Sequence, residues 1–119
     1  MKARMTSPVF VLPDAMKALQ NLHKAIGAVT TVPATTHHLI HLRASQINGC
    51  SVCVEMHARE MEEAGEPDEK IWAVGAWRES PRFSDAERAA LELAESVTRI
   101  AREALRDRRF HALNAVRYR

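Results

Sequence analysis

Both cysteines of this chain lie in one short run, Cys50-Ser51-Val52-Cys53, and a histidine, His57, follows one helical turn later. Two cysteines scattered at random would stand three residues apart only about once in sixty placements, so the spacing asks for a chemical reason. On an α-helix, positions i and i+3 share a face, which lets two sulfurs meet in a disulfide. His57, four residues beyond Cys53, stacks over the same face. Asn48-Gly49 precedes the pair and places it at the amino end of a helix. There the unpaired N–H groups and the helix dipole favour a thiolate. A free cysteine of pKa ~8.5 is only about 3% thiolate at pH 7, and lowering that pKa to ~7 makes half of it nucleophilic. An imidazole alongside can take the proton, or stabilise the thiolate as imidazolium.

Three chemistries fit these residues. A redox dithiol needs two thiols that oxidise and re-reduce reversibly, and a Cys-x-x-Cys pair on a helix is built for that. A metal site would take Cys50, Cys53, His57 and one of His37, His38 or His41, but it lacks a second close-spaced ligand pair. Two buried structural thiols beside an unrelated histidine are the plainest alternative. The spacing favours the redox pair.

The elements that must hold these residues read as helices. Strict apolar alternation is missing, and no Asn-Gly or Asp-Gly turn joins two β-branched runs. Asp14 is expected to cap a first helix with Ala15, Ala18, Leu19, Leu22, Ala25 and Ile26 on one stripe, ending at Gly27. Thr30 to Pro33 reads as an extended linker. A second helix runs from Thr35 or Thr36 to Gln46, with Leu39, Leu42 and Ile47 toward the core. A third carries Cys50 to Ala64, closed by Gly65 and Pro67. Asp68 is expected to cap a fourth that holds Ile71, Val74 and Ala76. Ser84 and Glu87 form a capping box that opens the longest helix. Its expected core stripe is Ala86, Ala90, Leu93, Val97, Ile100 and Ala104. Glu95–Arg99 and Arg99–Glu103 are expected on its outer face. The fold class is all-α.

At 119 residues, with 46% hydrophobic and 27% charged, the chain is expected to form one domain over 1–119. No apolar run approaches the ~18–20 residues of a membrane span. No secretory h-region follows the basic Met1–Arg4, so the expected compartment is cytoplasmic. Residues 1–101 carry net charge −2 and residues 102–119 net +4, a mildly acidic body with a basic tail. No nucleic-acid recognition motif accompanies that tail, which reads as a solvated helix end.

The run from Leu39 to His57 (LIHLRASQINGCSVCVEMH) resembles the core motif of the alkylhydroperoxidase AhpD-like, carboxymuconolactone decarboxylase superfamily. Trp77-Arg78-Glu79-Ser80 and the stretch from Phe83 to Leu91 also resemble its small single-domain members, so the likeness covers about residues 10–100. The resemblance implies an AhpD-like helical bundle, a homo-oligomer (trimer or hexamer), and thiol-dependent reduction of a hydroperoxide at the expense of an external dithiol, with no bound cofactor. It implies that Cys53 attacks peroxide, that Cys50 resolves, and that His57 relays the proton. The decarboxylase branch generally lacks the cysteine pair, which points away from that activity. A metal-binding or oligomeric scaffold that kept only the fold is the alternative function.

Two positions depart from the family pattern. The family usually places a glutamate twelve residues before the first cysteine, where this chain has His38. His38 and His41 stand i, i+3 with Ser45 one turn on. That arrangement either forms a histidine-based relay or leaves both rings facing solvent. Residues 102–119 are arginine-rich and unlike the further helical segment that family members usually carry.

With three Phe, two Trp and one Tyr, an isolated protomer has a thin core, and its Ala-rich helix faces permit close packing on copies of itself. Light scattering at micromolar concentration is expected to give a multiple of the 13.4 kDa chain mass. A mass near that of one chain would refute self-association.

Overall fold

A computed structural model describes Ser7 and residues 10–106, with side chains as far as residue 100. The basic segment 102–119, Glu103 and Ala104 included, lies outside the described side chains. The described elements are α1 (Pro13–Gly27), α2 (Ala34–Asn48), α3 (Ser51–Glu63), α4 (Asp68–Ala73), a 3-10 turn (Val74–Ala76) and α5 (Asp85–Arg106). The fold is all-α, as expected. No described helix is long and apolar enough to cross a membrane. The chain divides into two compact units, one ending at Ala34 and the other starting at Thr35.

The first unit contains α1. Pro13 opens the helix, where its fixed φ suits the first position and its missing N–H costs nothing. Leu12 therefore takes the N-cap, without a side-chain bond. Asp14 is not the cap: Pro13 starts the helix earlier and leaves Asp14 in the first turn, where its charge meets the positive end of the dipole. The expected apolar stripe keeps its period, but no residue of α1 is buried.

The second unit builds its core from Leu39 and Leu42 of α2, Met61 of α3, Ile71 of α4, then Val74, Trp77, Phe83 and Leu91. Ser45 takes the third buried place on α2, its hydroxyl donating to the His41 carbonyl at 2.8 Å, while Ile47 is only half-buried. Gly49, at φ +69°, closes α2: its N–H reaches the Gln46 carbonyl and that of Cys50 reaches Ser45. These two bonds form a Schellman motif, which needs the left-handed backbone that glycine adopts without strain. α3 closes the same way at Gly65.

Two expectations about the later helices change. Pro67, not Asp68, holds the N-cap of α4, because proline fixes the extended backbone that precedes a helix. Asp68 sits in the first turn, and Ala76 is exposed beyond the end of α4. On α5 the capping box forms as read: the Ser84 N–H donates to Glu87 at 2.9 Å and the Glu87 N–H to Ser84 Oγ at 3.3 Å. The core-facing side of α5, however, is Leu91 and Glu95. Leu93, Val97 and Ile100 are 60–65% exposed, Ala86 is exposed, and Ala90 is half-buried. The apolar stripe was the wrong face because a buried carboxylate sets the rotation of this helix.

Glu95 is 3% exposed and lies inside, not on the outer face. It accepts from Arg43 Nε of α2 at 2.7 Å, Trp77 Nε1 at 2.9 Å, Arg78 at 2.9 Å and Arg99 at 2.7 Å. Arg78 also lies over the Trp77 ring, 4.2 Å from its centroid. Arg88 completes this end by donating to the carbonyls of Trp77, Arg78, Ser80 and Phe83, so one guanidinium satisfies the connection into α5.

Burial pushes the Glu95 carboxyl up, but the donors from Trp77, Arg78 and Arg43 outweigh it and pull it down to about 2. The folded value lies below the unfolded one, so the contribution to stability is complete above pH ~4.5 and is lost as pH falls toward ~2. Glu95→Gln is expected to lower the unfolding free energy at pH 7 by about 3 kcal/mol, since it removes the charge that faces the largely buried Arg43 guanidinium. Urea titrations at pH 7 and pH 3 test this: the gap between wild type and variant should be widest at pH 7 and narrow at pH 3, as the carboxyl approaches protonation. Equal stability at pH 7 would remove Glu95 as an anchor.

Candidate functional site

The Schellman turn at Asn48-Gly49 hands the chain straight into α3, with Cys50 as its N-cap residue. Cys50 is extended (φ −89°, ψ 98°), and its Sγ accepts the Cys53 N–H at 3.4 Å. The sulfur thus takes the place that a serine or aspartate oxygen usually fills, at the positive end of the helix dipole. Cys50 and Cys53 are joined in a disulfide, with Cα atoms 5.3 Å apart. Both residues are half-buried. This is the oxidised form of the pair.

His57 follows one turn later, its side chain 13% exposed. Its ring lies 5.0 Å, centroid to centroid, from that of His41 on α2. Its Nδ1 is 2.7 Å from Glu60 Oε2, an i, i+3 contact within α3. The same oxygen lies 3.1 Å from Nδ1 of His38 on α2. Glu60 therefore sits between two imidazoles delivered by two helices. Burial raises its carboxyl, and the bonds and charge of His57, then those of His38, outweigh this and hold it below the ordinary carboxylate value.

Cys50, Cys53 and His57 thus fall at the amino end and second turn of α3. His38 reaches the group through Glu60 and is 28% exposed, so it is not a free surface ring. Glu60 is the residue that sequence reading missed. Its signal was present: it stands three residues after His57, where helix geometry brings two side chains together. Several other acidic residues in the same segment hid it. The ligand set considered for a metal is not assembled, because the two cysteines bond each other. Among the described residues no group of three or more His, Cys, Asp or Glu is placed to hold a metal ion. An open groove of about 390 Å³ runs beside the site along α3, walled by Val52, Glu55, Met56, Arg59, Glu60 and Glu63.

Comparison with known proteins identifies the family. The model of the carboxymuconolactone decarboxylase family matches residues 13–96. The uncharacterized protein YdfG of Bacillus subtilis is 35% identical over 101 residues, which is 85% of this chain and 68% of that protein. The uncharacterized protein YnjA of Escherichia coli is 40% identical over 60 residues, half of this chain and a third of that protein. Among solved structures, one of a protein of unknown function from Agrobacterium tumefaciens, for which a role as the antioxidant defence protein AhpD is suggested, superimposes with a TM-score of 0.77 at 37% identity. That match covers 96% of this chain and 77% of the other. A family match across most of the chain, the helical fold and the Cys50–Cys53 pair together place it: the protein belongs to the carboxymuconolactone decarboxylase family, as an AhpD-like member that carries the Cys-x-x-Cys motif.

Proposed function

We propose that this protein is a cytoplasmic, thiol-dependent hydroperoxide reductase that works as a homo-oligomer, with an external dithiol as its reductant. The observation that carries the reading is the Cys50–Cys53 disulfide at the amino end of α3, with His57 one turn beyond it. The family match takes in α1 as well as most of the unit that holds the site, which supports treating residues 13–96 as parts of one domain.

The chemistry runs through sulfur alone. In the reduced protein, His57 takes the proton of Cys53, and the thiolate attacks the outer oxygen of the hydroperoxide. The S–O bond forms as the O–O bond breaks. The alkoxide leaves as an alcohol after taking a proton from the His57 imidazolium, and Cys53 is left as a sulfenic acid. Cys50 then attacks the Cys53 sulfur; the S–S bond forms and water leaves. Cys50 is suited to carry charge at that step, since its sulfur accepts the Cys53 N–H. His38, across Glu60 from His57, extends the relay onto α2. The external dithiol reduces the disulfide and is itself oxidised, so one hydroperoxide and one dithiol give one alcohol, one water and one disulfide.

Three measurements test the reading. Thiol titration of the reduced protein is expected to find two thiols, and none after mild peroxide treatment; cysteines that stay unreactive in the folded protein would make the pair structural. Peroxide consumption coupled to a dithiol is expected to vanish in Cys53→Ser and to fall about 100-fold in His57→Ala, the usual scale for losing a general base. His38→Ala, one step further from sulfur, should lose only a few-fold. A Cys53→Ser variant as active as wild type would sink the mechanism.

A further inference from the structure

The mechanism gives parts to His57 and His38 but does not say what the carboxylate between them contributes. Glu60 Oε2 is 2.7 Å from Nδ1 of His57 and 3.1 Å from Nδ1 of His38. An ionised carboxylate has lone pairs and no hydrogen, so at both contacts the ring nitrogen must donate. His57 is thereby held in the tautomer with its proton on Nδ1, which leaves Nε2 as the nitrogen able to take a proton. The i, i+3 spacing on α3 fixes the direction of that bond, and the His41 ring confines the imidazole from α2. A carboxylate so placed does two things for a general base: it selects the tautomer, and it stabilises the imidazolium that forms when the thiol gives up its proton.

We propose that Glu60 is the positioning carboxylate of this dithiol site, supplied from α3 itself. It orients His57 directly and draws His38 onto the same oxygen. For its part in turnover the proposal rests on the hydroperoxide-reductase reading; for its effect on the cysteine it does not. Position 38, where the family pattern calls for a glutamate, lies against Glu60 here. A carboxylate placed at 38 could therefore take over once the charge at 60 is gone.

The test uses the full chain in its reduced form, with wild type, Glu60→Gln and the double variant Glu60→Gln/His38→Glu. Cys50→Ser is present in every alkylation arm, so that iodoacetamide reports Cys53 alone. The titratable or charged groups described around His57 and Glu60 are His38 and His41 from α2, with Glu55, Arg59 and Glu63 along the same groove as Glu60 on α3. Each pH profile is therefore read as a difference from wild type. With the carboxylate gone, the thiolate–imidazolium pair is less favoured. Alkylation by Glu60→Gln should be about tenfold slower at pH 6–7 and equal to wild type above pH ~9, where the thiol ionises unaided. Peroxide consumption with Cys50 in place should fall about as much, and the double variant should recover most of both losses. A merely structural Glu60 would give a loss independent of pH and no rescue in a double variant whose helical circular dichroism and melting match wild type. Either that result or an unchanged Glu60→Gln would overturn the proposal. If wild type consumes no peroxide, the reductase reading fails, while the alkylation profiles still decide the role of Glu60.

Discussion

A carboxylate taken out of water needs donors around it, and Glu95 finds them on three segments of the chain. Arg43 comes from α2, Trp77 and Arg78 from the connection before α5, and Arg99 from α5 itself. Each contact is modest alone, but they converge on two oxygens of one buried carboxylate, which ties the three segments together. The small apolar core packs beside this cluster. Leu91, one turn before Glu95, can reach that core only in the rotation that Glu95 sets. The cost of desolvating an ion is offset here by geometry, and the result is a specified arrangement of helices more than added stability.

That arrangement reaches the sulfur chemistry through α2. The helix that offers Arg43 to Glu95 also presents Leu39 and Leu42 to the core, and His38 and His41 to the site. It ends in the glycine turn that starts α3 at Cys50. Sulfur placement is thus local, a matter of one turn and one helix terminus. Imidazole placement is not, since two of the three rings come from a helix whose position depends on packing some distance away.

The exposed apolar residues give the same lesson from the other side. Leu93, Val97 and Ile100 on α5, like Leu19 and Leu22 on α1, repeat with a clean helical period and still face outward within this chain. Periodicity reports that a face is apolar. It says nothing about what covers it.

What the sequence determined by itself was whatever depends on neighbours a few residues apart. The helices, the glycine closures at Gly49 and Gly65, the capping box at Ser84, and the Cys50–Cys53–His57 spacing are all set within one or two turns, where backbone geometry leaves little choice. The caps failed at Asp14 and Asp68 for an equally local reason, the adjacent prolines Pro13 and Pro67. Tertiary structure alone decided which face of α5 turns inward, because the attraction among Glu95, Arg43 and Trp77 joins residues up to 52 positions apart. It also decided that His38 would meet a carboxylate, since Glu60 lies 22 residues away on another helix. Helical period constrains contacts along one helix; contacts between helices depend on which burial and which ion pair win over the whole chain.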